Sequence, residues 1–277
     1  MTVKILADGV DILEKHIRFS DGGSNIKIKT GLSPKNIVVT IKNEPVDSYA
    51  YLLRLITTLL FRNFTYSKTV CHLPYLPHGR ADREFEEGMV TPLLEIGYLL
   101  SFFDEVIIRD AHSNFIEDYM LLHHDTEYTE ISQLRSFLDC PFGLEKYDFD
   151  VLVAPDKGAK DKTQTIADQL KVPVVFCEKD RDPATGHINK VDVHGDVQGK
   201  VCLITDDICD GGGTFLLTAM ALKDRGAADV KLYVTHGIFS KGLDIFRGLV
   251  SNVFCYHTVM NYVTMNDIHE FNKENSK

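Results

Sequence analysis

Residues Val201 to Phe215 read VCLITDDICDGGGTF. An apolar run is followed by two carboxylates, Ile-Cys, a third carboxylate, three glycines and a threonine. Successive glycines can turn several backbone N–H groups toward one anion, and the N-terminus of a following helix adds positive potential. With the hydroxyl of Thr214, the loop Gly211, Gly212, Gly213 therefore reads as a phosphate cradle. It is not a Walker loop, because no Gly-Lys-Ser/Thr is present. Asp206 and Asp207 ask for a different partner. Sugar hydroxyls need acceptors and Mg²⁺ needs oxygens, and a sugar phosphate brings an anion at one end and hydroxyls at the other. The ordinary alternative is a turn in which Asp210 caps the next helix.

Such a loop needs a strand before it and a helix after it. Short β-branched runs at 36–42, 69–75, 104–110, 150–155, 172–177, 201–205, 230–239 and 253–259 read as strands. Between them lie helical stripes. Leu52, Leu55, Ile56, Leu59 and Leu60 follow helical spacing, and so do Leu93, Ile96, Leu100 and Phe103. A third helix over 214–225 is stopped by Gly226. Strands alternating with helices predict an α/β fold with mainly parallel sheets flanked by helices. In such sheets ligands bind beyond the carboxyl ends of the strands, where 206–214 falls. Residues 17–28 read as a ribbon around a glycine turn, and the polar tail 269–277 is expected to fray. A boundary near 139–146 divides the chain into domains 1–140 and 141–277. Paired strand endings, such as HLPY with LVAPD, hint that the two halves are duplicates.

The chain has 277 residues, enough for one large or two small domains at roughly 150 residues each. A net charge of −10 without a dense Lys/Arg run argues against a nucleic-acid partner. The longest apolar stretch, Tyr49–Phe61, is too short and too charged to cross a membrane, and no secretory leader is visible. Six scattered cysteines without a CxxC pair read as small buried hydrophobes in a reducing cytoplasm.

The segment from 201 to 215 resembles the phosphoribosyl-diphosphate motif of the type I phosphoribosyltransferase fold. Further segments, in family order from Ile17 to Ser240, narrow the likeness to the ribose-phosphate diphosphokinases (phosphoribosyl diphosphate synthetases). PYLPHGRADR (74–83) resembles their ATP-binding segment, and IRDAHS (108–113) their Asp-Leu-His-Ala segment. APDKGAK (154–160) matches Pro-Asp-x-Gly-Gly/Ala-x-Lys. CEKDRD (177–182) is similar to the Lys-x-Arg catalytic loop, and THGIFS (235–240) matches Thr-His-Gly-Ile-Phe-Ser. IRFSDGG (17–23) is similar to the segment that reaches a neighbouring subunit's ATP.

The resemblance implies two tandem phosphoribosyltransferase-type domains. It also implies Mg²⁺-dependent transfer of the β,γ-diphosphoryl group of ATP to the C1 hydroxyl of ribose 5-phosphate, with release of AMP. Lys179 and Arg181 would meet the transferring group. His112 would contact ATP phosphates or, with Asp110 and Asp156, the metal. Arg80 would bind ATP, braced by Asp82 and Arg83, and Phe19 and Asp21 would flank adenine across an interface in a homodimer or larger assembly. Asp206, Asp207, Asp210, Gly211, Gly212, Gly213 and Thr214 would hold the pentose phosphate. For the charged residues the ordinary alternative is solvated surface, and His123, His124, Cys177 and residues 84–87 are read as solvated surface or packing.

Three positions depart from the family pattern: Ala81 replaces Gln, Gly23 replaces Glu, and Asp210–Gly211 replaces Asp-Thr. The last removes a hydroxyl donor and opens the cradle. An acceptor whose 5-phosphate is itself esterified, ADP-ribose, would fit such a loop, and phage relatives of this family use it in NAD reconstruction. A non-catalytic regulator on the same fold and a phosphoribosyltransferase are the other readings. The presence of Lys179, Arg181, His112 and Asp156 opposes the first, and the ATP segment and Lys-x-Arg loop oppose the second.

Overall fold

A computed structural model describes residues 3–20, 24–42, 48–64, 67–84, 88–123, 125–144, 148–181, 188–260 and 262–275. The chain divides into two units, Met1–Ile131 and Ser132–Lys277.

In the first unit, β1 (Val3–Ala7), β2 (Val10–Asp11), β5 (Asn36–Ile41), β6 (Lys68–Leu73), β7 (Glu105–Arg109) and β8 (Glu127–Ile131) form one sheet in the order β2-β1-β5-β6-β7-β8. The strands from β5 to β8 are parallel, and β1 runs against β5. Their connections are α1 (Ser48–Asn63), α2 (Leu93–Leu100) and α3 (Phe115–His123). All three crossovers step in the same direction, so their right-handedness places the helices on one face. Alternation decides which face that is: Ile37, Val39 and Ile41 of β5 are buried against Leu52, Leu53 and Ile56 of α1. The opposite face carries His72 and the buried Arg109. A separate ribbon pairs β3 (Leu13–Arg18) with β4 (Ser24–Ile28), as residues 17–28 suggested.

The second unit orders its strands β11-β10-β9-β12-β13-β14. These are β9 (Val151–Ala154), β10 (Val174–Arg181), β11 (Ile188–His194), β12 (Val201–Cys209), β13 (Asp229–Gly237) and β14 (Asn252–Thr258). All pair in parallel except β10 with β11. Every residue of β9 is buried, as a central parallel strand requires. The helices are α4 (Gln133–Leu138), α5 (Lys160–Leu170), α6 (Gly213–Asp224) and α7 (Met265–Asn275). The six cysteines are free and buried, and burial pushes the Cys177 thiol up to about 12.

Three sequence expectations are corrected. The division falls between Ile131 and Ser132, ahead of 140, because α4 belongs to the second core: the Phe137 ring packs edge-on to Tyr233 at 4.9 Å. The strand at 201–205 continues to Cys209, because β13 pairs alongside it as far as Cys209↔Gly237. Asp206 and Asp207 are therefore strand residues, and the loop is confined to 210–212. Through Asn275 the tail is helical. Ile268 and Phe271 are buried, and the Asn272 side chain accepts from Val253 N and donates to Val253 O, both at 2.8 Å.

Candidate active site

Strands β10, β9 and β12 are neighbours, and their carboxyl ends gather most of the second unit's candidate residues. Phe176 lies opposite Ala154 and Ile204 opposite Val153. Asp156, just past the end of β9, is thus flanked by Lys179 of β10 and Asp206 of β12. Lys179 Nζ donates to Asp156 Oδ2 at 2.7 Å and to Thr214 Oγ1 at 3.4 Å. Its side chain is only 3% exposed. The other carboxylate oxygen of Asp156 accepts from Gly158 N at 3.0 Å and Ala159 N at 3.2 Å. The turn-acid role is therefore real, and the same side chain also pairs with Lys179.

Asp206 is held well above the ordinary carboxylate value, first by burial and then by the charges of Asp207 and Asp156. Its Oδ1 accepts from Asp207 N at 2.9 Å, which offsets part of that rise. The charges of Asp207 and Asp156 bear on Asp206, and such a cluster of carboxylates favours a cation or hydroxyl donors. Among the described residues, no three His, Cys, Asp or Glu side chains could hold a metal ion by themselves. Mg²⁺ bound by one or two carboxylates together with substrate oxygens fits that arrangement.

The glycine loop leaves the start of α6 without a side-chain cap, and Gly212 is the N-cap at φ +73°. The leading N–H groups of α6 are left for a ligand. Asp210 is not the cap: its Oδ1 accepts from Ser240 Oγ at 2.6 Å, and its carbonyl accepts from Ser240 N at 3.2 Å. These bonds tie the loop to the segment 235–240. Gly212 is required there, because a Cβ would meet Ile245 Cδ1 at 2.6 Å and Phe246 Cζ at 2.9 Å. Behind the loop, Thr163 of α5 and Thr205 of β12 share a buried hydroxyl–hydroxyl bond of 2.9 Å. Neither that pair nor Lys241, which follows Ser240, stood out in the sequence, since an isolated Thr or Lys carries no spacing signal.

In the first unit the ATP-like segment leaves the carboxyl end of β6. It folds as a tight turn, with Ala81 N bonded to His78 O at 2.7 Å and Thr91 Oγ1 donating to Ala81 O. A Cβ on Gly79 would lie 3.8 Å from His112 Cβ, so this turn and the end of β7 are adjacent. Arg80, Arg83 and His112 are exposed, and Asp82 is half-buried. Asp110 is 1% exposed and adopts φ +43°, a conformation that costs energy for a non-glycine residue. Its backbone N–H bonds Ile131 O at 2.8 Å. Asp110 is thus buried at the end of β7, whereas His112 two residues on is exposed. Phe19 is 51% exposed at the end of β3. Asp21, Gly23, residues 85–87 and His124 lie outside the described residues, as do the side chains of His123 and Arg181.

A family profile described as the phosphoribosyl transferase domain matches residues 142–248. The ribose-phosphate pyrophosphokinase of Bradyrhizobium diazoefficiens is 29% identical over 230 residues, covering 81% of this chain and 70% of that protein. Ribose-phosphate pyrophosphokinase 2 of Saccharomyces cerevisiae is 31% identical over 193 residues, covering 68% of this chain and 58% of that protein. The crystal structure of phosphoribosylpyrophosphate synthetase from Mycobacterium smegmatis superposes with a TM-score of 0.73 at 23% identity, over 89% of this chain and 80% of that one. The last likeness is one of fold. Sequence, domain profile and fold agree, and the chain belongs to the ribose-phosphate pyrophosphokinase family.

Proposed function

We propose that this chain transfers the β,γ-diphosphoryl group of ATP to the C1 hydroxyl of ribose 5-phosphate. The C1 oxygen bonds to the β-phosphorus, the bond from that phosphorus to the α-phosphate bridging oxygen breaks, AMP leaves, and the hydroxyl proton is lost to solvent. The observation that carries this reading is the meeting of Lys179, Asp156 and Thr214 beside the uncapped start of α6. This supports the reading because a cation, a carboxylate and an uncapped helix terminus lie together, and phosphoryl transfer depends on positioning and charge stabilisation. Asp206 and Asp207 would accept from ribose hydroxyls. Arg80 and His112 would take the ATP phosphates. Mg²⁺, held by Asp156 with phosphate oxygens, would neutralise charge on the transferring group.

A second acceptor, ADP-ribose, is favoured by one observation. A Cβ at Gly213 would have no neighbour within 4 Å, so the cradle has room beside that residue for an esterified phosphate. The exposed Phe19 supports a homodimer or larger assembly in which the ribbon tip completes a neighbour's ATP site. Among the described residues no helix is long and apolar enough to cross a membrane. Six buried free thiols suit a reducing compartment such as the cytoplasm.

The test is a paired assay of Mg²⁺-ATP with ribose 5-phosphate or ADP-ribose, with products identified by mass. AMP together with a diphosphorylated ribose 5-phosphate supports the main reading. Preference for ADP-ribose supports the second. ADP as the nucleotide product overturns both.

A further inference from the structure

We propose that Lys241 is a phosphate-binding residue of the cradle, supplying the side-chain donor that the loop lacks at Gly211. The inference rests on the acceptor reading of the loop and adds a residue to it. Gly211 is not demanded by the backbone, since it does not adopt a left-handed conformation. Nor is it demanded by packing. A Cβ there would meet Lys241 Cε at 3.6 Å, Lys241 Cδ at 3.8 Å and Ser240 Oγ at 3.9 Å, all ordinary contacts. The position a side chain would occupy at Gly211 is thus overlain by the lysine stem.

The base of that lysine is fixed. Ser240 is held to Asp210 through both its hydroxyl and its backbone N–H, and Gly242 N bonds Phe239 O at 2.8 Å, closing the turn around Ser240 and Lys241. The ammonium itself makes no hydrogen bond or ion pair among the described residues. An uncommitted cation therefore starts from the edge of a loop whose next residues present the uncapped amides of α6. A phosphate ester seated on those amides comes within reach of an ammonium on a flexible four-carbon stem, which acts as a point charge with three donors. A neutral hydroxyl at Gly211 and a cation at Lys241 are alternative ways to serve the same oxygens, and a charge-assisted bond is the stronger of the two.

Calorimetric titration of the full chain with ribose 5-phosphate, and separately with ADP-ribose, tests this without turnover. Lys241→Met keeps the stem and removes the charge. It should weaken the binding acceptor about tenfold while leaving the Kd for ATP in place. The double variant Gly211→Thr with Lys241→Met should recover most of the lost affinity. Acceptor affinity within twofold of the parent in Lys241→Met overturns the assignment, and so does an equal loss for ATP. A parent that binds acceptor but releases no AMP contradicts the proposed reaction. The Lys241 assignment is still decided in that case by the variant's affinity.

Discussion

Lys179 Nζ and Asp156 Oδ2 lie 2.7 Å apart, so the cation proposed for the transferring group and the carboxylate proposed for the metal satisfy each other. In the proposed reaction each would exchange that partner for a phosphate oxygen or a divalent cation. An interaction traded in this way is realised in the transition state rather than in ATP binding. Lys179→Ala should therefore lower kcat by about 10²- to 10³-fold while changing the Kd for ATP little. Single-turnover rates set against equilibrium ATP binding check this, and equal losses in both would assign Lys179 to ground-state binding.

Asp206 predicts a trade of stability for function. Its carboxyl is held above the ordinary value of 3.8 by burial, Asp207 and Asp156. Between 3.8 and the raised folded value, the folded chain binds more protons than the unfolded chain. Stability therefore falls as pH rises through that window, and the cost persists above it. Asp206→Asn should raise Tm at neutral pH, flatten the dependence of Tm on pH above about 4, and weaken acceptor binding. A lower Tm at pH 7 would mean that Asp206 is a net stabiliser.

His72 acts in the opposite sense. Burial, then Arg109 and Lys42, hold its pKa below 6.5, and among the described residues Nε2 has no hydrogen-bond partner. Below 6.5 the unfolded chain takes up a proton that the folded chain resists. The stability His72 permits at neutral pH is lost as pH falls toward its folded value. Urea unfolding at two pH values, one on each side of 6.5, should show a smaller acid-induced loss for His72→Leu than for the parent. Identical losses would place the acid sensitivity elsewhere.

Gly212 is the steric keystone of the cradle. At φ +73°, with Ile245 and Phe246 packed where a Cβ would stand, Gly212→Ala forces both backbone and packing to move. The cost should be about 1–3 kcal/mol, read as a lower denaturation midpoint, with acceptor affinity lost beyond what the destabilisation explains. An alanine variant with parental midpoint and affinity would show that the loop tolerates a right-handed conformation.

Much of this site could be read from residue order. The apolar run at 201–205, the carboxylates and the three glycines predicted a glycine loop between a strand and a helix, and the loop stands there between β12 and α6. Helical spacing at Leu52, Ile56 and Leu60 marked α1 because one face of it is wholly buried. Other features depended on contacts distant in sequence. Strand β12 extends through Asp206 and Asp207 because β13 pairs beside it, which local propensity does not encode. The tail is helical because Asn272 bonds the backbone of β14, a partner that polar composition conceals. The alternative in which Asp210 caps the helix does not hold, because Gly212 is the N-cap and Ser240, thirty residues on, bonds the Asp210 side chain.

The most direct test of the proposed reaction is phosphorus NMR of the full chain with Mg²⁺-ATP and ribose 5-phosphate, followed to completion. The account predicts that AMP appears in step with a new diphosphate carried on C1 of the ribose, and that both are lost in Lys179→Ala. ADP with a singly phosphorylated C1, or AMP released with free diphosphate and unchanged ribose 5-phosphate, would contradict diphosphoryl transfer to that hydroxyl.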